Sequence, residues 1–138
     1  MSEENVEIVR QVYDAVARRD AAGVLALYDP DVEVRFAPGT LADRIGEAGS
    51  FHGHEGLRAF DRELRQAFED FETNYEELID AGERVVSVSR YKATGRRSGI
   101  EIDGPPQFLT WTVREGRVIR VDWFNRRAEA LEAAGLSE

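Results

Sequence analysis

The apolar residues near the start of the chain recur at steps of three and four: Val6, Val9, Val12, Tyr13 and Val16. That period puts them on one face of a helix over "SEENVEIVRQVYDAVARRD", with Ser2 as N-cap, acidic residues in the first turn and Asp20 at the close. "AAGVLALY" carries a second short stripe, Val24, Leu25, Leu27 and Tyr28, which Pro30 stops. The period then drops to two. In "DVEVRF" Val32, Val34 and Phe36 alternate with Asp31, Glu33 and Arg35, which predicts a half-buried strand with Phe36 pointing inward. After the Gly/Ala-rich break "APGTLADRIGEAGS", residues 37–50, helical spacing returns. Leu57, Phe60, Leu64, Phe68 and Phe71 predict a third helix over residues 55–70.

From there the pattern reads as sheet. Ala81-Gly82-Glu83 marks a turn between two strands, Gly104-Pro105-Pro106 interrupts the next, and Gly116 turns the last hairpin. "AEALEAAGL" ends the pattern as a short helix with Gly135 near its C-terminal end. Helices, a strand, a helix and then consecutive antiparallel strands predict an α+β fold with helices on one face of a sheet. Strand parity assigns the faces. Ile119, Val121 and Trp123 share the apolar side of the last strand, with Arg120 and Asp122 opposite; Gln107 shares the side of Leu109, Trp111 and Val113 and faces inward.

Composition narrows the function classes. With 138 residues, 42% of them hydrophobic, the chain has the length and apolar content of one domain, residues 1–138, with its own core. A net charge of -9 repels phosphates and anionic lipid heads, which argues against nucleic acid as a partner. With no cysteine, there is no disulfide scaffold and no thiolate site. No apolar run is long enough to span a membrane, and the acidic N-terminus lacks the basic start and apolar stretch of a signal peptide, so a cytoplasmic location is expected.

Both histidines, His52 and His54, lie in "SFHGHEGLRAF". On an extended segment an H-x-H step puts two imidazoles on one side, which would bind a transition metal given a third ligand such as Asp43 or Glu47; none stands at a telling spacing. The alternative is a corner: Gly53 turns the chain, and His54 or a neighbour closes the N-terminus of the third helix, where Glu55 suits the helix dipole. Either imidazole also titrates near neutrality and is a candidate acid or base. Tyr13 is expected to be partly buried, its hydroxyl paired in the core or facing a ligand. The pairs Arg18-Arg19 and Arg96-Arg97 read as solvated surface charge.

The order of "VRQVYDAVARRDAAGVLALYDPDVEVRF", "FHGHEGLRAF" and "WTVREGRVIRVDWF" resembles the nuclear-transport-factor-two-like superfamily, in its SnoaL-like or ketosteroid-isomerase-like branch, over nearly the whole chain. The resemblance implies a strongly curved antiparallel sheet wrapped around three helices, a cone-shaped, cystatin-like α+β barrel. It also implies an apolar pocket and a homodimer formed through the outer face of the sheet. The superfamily holds isomerases, polyketide cyclases, epoxide hydrolases, dehydratases and non-catalytic modules, so fold does not decide function. The place of the isomerase base falls at Phe36 and that of the second acid near Leu109, and neither side chain moves a proton. Tyr13 matches the first-helix tyrosine of these relatives. Polyketide cyclases use polar groups on the last two strands, which correspond here to Gln107 and Asp122. The Asp–Arg–Asp set of epoxide hydrolases has only Asp43-Arg44, in the irregular segment.

The implied function is a hydrophobic pocket for a small, carbonyl-bearing molecule, with Phe36, Leu109, Trp111 and Trp123 as its wall. Cofactor-free general acid–base chemistry would rest on Tyr13, His52, His54, Gln107 and Asp122. The alternative is a non-catalytic module that binds a small molecule or only dimerises.

Overall fold

Helix α1 covers Ser2–Ala17 in the computed structural model, which describes residues 2–45 and 49–137. The Ser2 side chain and Glu47, both singled out above, lie outside the described set. The helix stops short of Asp20. Arg19 takes a left-handed φ of 57°, and the Asp20 carboxylate accepts the Gly23 N–H at 2.9 Å. Asp20 therefore opens α2 (Ala21–Leu27) as its N-cap instead of closing α1, and Val16 at the end of the stripe is exposed. Strand β1 (Tyr28–Phe36) follows with no loop, so Pro30 sits inside a strand and is not the stop of a helix. The register of β1 against β7 shifts between Tyr28 and Glu33, which accommodates a residue with no N–H to donate. Val32, Val34 and Phe36 are buried and Asp31, Glu33 and Arg35 exposed, as their alternation predicts.

The segment after β1 is less irregular than its composition indicated. It contains a short helix, α3 (Leu41–Ile45), closed by a reciprocal cap in which Thr40 Oγ1 accepts the Asp43 N–H at 3.2 Å and Asp43 Oδ2 accepts the Gly39 N–H at 2.9 Å. Strand β2 (Ser50–His52), helix α4 (Gly53–Ala67) and strand β3 (Phe68–Ala81) come next. The third helical period thus overran its helix. Phe68 and Phe71 belong to β3, where Phe71 stacks on Tyr91 at 5.7 Å. Arg96 fixes the end of α4: its guanidinium, exposed as expected, also donates to the carbonyls of Arg65 at 2.9 Å and Phe68 at 3.2 Å and so caps the helix.

Strands β4 (Arg84–Gly95), β5 (Glu101–Asp103), β6 (Gln107–Arg114) and β7 (Arg117–Phe124) and helix α5 (Arg127–Ala133) complete the order. The curved sheet runs β2-β1-β7-β6-β4-β3, with β5 on β4. It is mixed, because β1 pairs parallel with β7 while the other pairs are antiparallel. Helix α1 packs on β3, β4, β6 and β7, and α4 packs on β1, β2 and β3. Val9, Val12 and Tyr13 of α1 share one core with Val34, Phe36, Leu109, Trp111, Val118 and Val121 of the strands. Helix α5 departs from the one-sided arrangement. Ala130, Leu131 and Ala134 form a separate core with Val86 and Phe108, which have the opposite parity to Val85 and Leu109, and Thr110 Oγ1 donates to the Ala130 carbonyl at 2.8 Å. A bulge in β7 corrects a second expectation. Val113 faces Val118 and Thr112 faces Arg120, so Ile119 is the extra residue, half-buried, and Val118 takes its place in the core. No helix among the described residues is long and apolar enough to cross a membrane.

The Gly-Pro-Pro segment crosses directly over Tyr91. The Gly104 N–H donates to the Tyr91 carbonyl at 2.9 Å, and a Cβ at Gly104 would stand 2.1 Å from Tyr91 Cζ. Gly104→Ala must push aside a buried ring and is expected to cost about 1–3 kcal/mol; denaturant titration against the parent chain measures it, and an unchanged midpoint would show that the crossing is slack.

Candidate functional site

Strand parity brings a line of neutral polar groups to the inner face. Ser87 and Ser89 come from β4, Gln107 and Trp111 from β6, and Tyr13 from α1, and all five are buried. The Tyr13 and Ser87 hydroxyls are hydrogen-bonded at 2.9 Å, and the Trp111 Nε1–H donates to Ser87 Oγ at 2.8 Å. Burial raises the Tyr13 pKa above its ordinary 10.0, with hydrogen bonds to Ser87 and Ser89 pulling the other way. Burial also raises that of Tyr28, reinforced by Tyr13. Both phenols are therefore protonated at neutral pH and are not bases there.

An aromatic wall continues this face. Leu109, Trp123 and Phe36 lie in one row across β6, β7 and β1. The Phe36 ring lies 5.8 Å from Phe51 and 6.1 Å from Phe60, and Phe60 meets Trp123 edge-on at 6.5 Å. Phe36, Leu109, Trp111 and Trp123 thus occupy the inner face together. Tyr28 adds its ring 6.4 Å from Trp111.

Gln107 is buried where β6 begins, but its amide is fully committed. Its Oε1 accepts the Leu41 N–H at 3.3 Å, and its Nε2 donates to the carbonyls of Pro105 at 3.0 Å and Pro106 at 3.3 Å. It ties α3 to the Gly-Pro-Pro crossing. Beside it lies a cavity of about 80 Å³, whose wall includes Leu41, Arg44, Tyr91, Gln107 and Asn125. A larger groove of about 280 Å³ runs between α1 and α2, lined in part by Asp14, Arg18 and Leu27.

The remaining candidates are engaged elsewhere. His54 Nε2–H donates to the Tyr28 carbonyl at 2.9 Å and makes no helix cap; Gly53, at φ 71°, brings its Cα so close that a Cβ would lie 3.0 Å from the Pro30 carbonyl. The two residues seat α4 on the start of β1. His52 is exposed on β2 opposite Glu33. Asp43 is held in the α3 cap, and among the described residues no three His, Asp or Glu side chains converge as a metal site requires. Asp122 lies opposite Thr110 on the outer face, as parity predicts, and Arg120 grips it at 2.9 and 3.1 Å. Ser87 and Ser89 escaped the sequence reading because Val85 and Val86 make both parities of β4 apolar; the only signal was two serines two apart in a strand of valines.

Comparison with known proteins places this geometry in a family. The SnoaL-like domain matches residues 9–121. An NTF2-like protein of unknown function from Burkholderia pseudomallei is 29% identical, with 94% of this chain and 95% of that one covered at a TM-score of 0.77. TerC, crystallised with polyporic acid, is 25% identical over 96% of this chain and 98% of its own, also at 0.77. A protein of ketosteroid isomerase-like fold from Catenulispora acidiphila, in complex with trimethylamine, shares the fold at 15% identity, with 94% and 93% covered and a TM-score of 0.71. No curated protein sequence matches the chain. With a curved sheet closed over α1 and a domain match across most of its length, this chain belongs to the SnoaL-like domain family.

Proposed function

We propose that this protein binds a small, largely apolar, carbonyl-bearing molecule where the Gln107 cavity adjoins the Phe36–Leu109–Trp123 row, and that it acts by binding and not by proton transfer. One observation carries the reading: the inward polar groups are neutral hydrogen-bonding ones, Tyr13, Ser87, Ser89, Trp111 and Gln107, while His54 and Asp122 are spent on the Tyr28 carbonyl and on Arg120. General-base catalysis needs a group whose pKa lies near the working pH, and a buried phenol with a raised pKa does not supply one. That TerC was crystallised with polyporic acid supports a small-molecule role for the fold. A thermal-shift screen of small aromatic ketones tests the reading. A hit is expected to raise the melting temperature of the parent chain, to lose most of that effect in Trp123→Leu, and to be recovered chemically unchanged. Conversion of the hit by the parent chain, abolished in Tyr13→Phe, would replace binding with catalysis.

The buried phenols also predict the alkaline limit of stability. Because Tyr13 and Tyr28 have folded pKa values above the unfolded 10.0, their contribution is complete below pH 10 and is lost as pH rises beyond it. Each adds a slope of up to about 1.4 kcal/mol per pH unit in that range. Urea titrations between pH 9 and 11 are expected to show the fall, with a shallower slope in Tyr13→Phe.

The proposed macromolecular partner is a second copy. On the outer face Glu33 stands opposite Arg120 and Arg35 opposite Asp122, a square of alternating charge. Turned about a two-fold axis along or across the strands, such a square meets its own complement. Arg120→Glu puts like charges in register and is expected to convert a dimer to monomer in sedimentation velocity; a dimer that survives the change would place the interface elsewhere.

A further inference from the structure

We infer that the ligand is an organic acid, and that the cavity between α3 and the start of β6 takes its carboxylate against Arg44. The inference rests on the binding reading above and adds the ligand's charge to it. Among the described residues of the cavity wall, Arg44 is the one charged side chain. The neighbouring acid, Asp43, is turned to the Gly39 N–H at 2.9 Å and is not part of the wall. Arg44 forms no ion pair among the described residues. In a chain of net charge -9, a cavity whose described wall carries a guanidinium and no carboxylate side chain is a local exception to a field that otherwise repels anions.

The hydrogen-bond inventory of the wall points the same way. Both amide hydrogens of Gln107 go to proline carbonyls and its oxygen to Leu41, and Asn125 Nδ2 donates to the Pro38 carbonyl at 2.7 Å. Among the described residues of the wall, the side-chain donors left for a ligand are the Arg44 guanidinium and the Tyr91 hydroxyl, which suits an acceptor-only group such as a carboxylate. The size agrees. About 80 Å³ admits a head group but not a whole molecule, so the apolar remainder lies outside this cavity, and the proposed site puts it on the side of the Leu109–Trp123–Phe36 row.

Benzoate and benzamide, alike in shape and different in charge, provide the test. Calorimetric titration at low salt is expected to show benzoate binding about tenfold tighter than benzamide. Arg44→Gln, a change at an exposed position, is expected to remove that preference; Arg18→Gln, in the α1–α2 groove, should leave it intact. Equal affinity of the two probes for the parent chain, or an Arg44→Gln protein that still prefers benzoate, overturns the acid inference and leaves the binding reading standing. An equal loss in Arg18→Gln overturns it as well, because diffuse charge would then explain the preference. Failure of both probes to bind overturns the inference together with the site it rests on.

Discussion

Ser87 Oγ is a single oxygen in the middle of the core, and three elements meet on it: α1 through Tyr13, β6 through Trp111, and β4, which carries the serine itself. A buried hydroxyl without a partner costs free energy that a small domain cannot spare, so the three groups must stay together or all be solvated together. That requirement fixes the angle and depth of α1 on the sheet, which apolar packing by valines alone would leave loosely specified. The Tyr13 ring follows, 5.4 Å from Tyr75 and 5.8 Å from Trp111, and the inner face is set from there outward.

The same constraint bears on chemistry. With Tyr13 and Trp111 both bonded to Ser87, the centre of the cone is a satisfied network, and the ligand site we propose lies at the α3 end of the sheet. There a proline-rich crossing, a capped single-turn helix and a saturated glutamine build a small cavity whose spare donors are on Arg44 and Tyr91. At the two places where the resemblance puts the isomerase acids this chain carries Phe36 and Leu109, which lie in the apolar wall of the inner face.

The histidines illustrate how a short motif can carry architecture in place of reactivity. Gly53 adopts a left-handed φ against the Pro30 carbonyl, and His54 donates to the Tyr28 carbonyl at the start of the same strand. These contacts join α4 to the part of β1 where Pro30 and a register shift weaken the ladder. Gly53 and His54 at the start of α4 and the Tyr28–Pro30 stretch of β1 are therefore two halves of one joint, apart in sequence and adjacent in space.

Periodicity by itself determined where the apolar faces lie: α1, β1, the inward side of β6 and the outward position of Asp122 all follow from steps of three and four or of two, because side-chain direction is set by local backbone geometry. The resemblance carried by the ordered motifs supplied the cone. Element ends were less legible, since a cap such as Asp20 or Arg96 acts through a hydrogen bond to a backbone group that the apolar pattern does not register. Beyond local reach, only the tertiary structure decided the rest: the parallel pairing of β1 with β7, the bulge that exchanges Ile119 for Val118, the placement of α5 on the outer face, and the meeting of Tyr13 with Ser87 across 74 positions of chain. Each of these joins groups distant in sequence, where the gain from burial and hydrogen bonding depends on what the partner presents and not on the segment's own period.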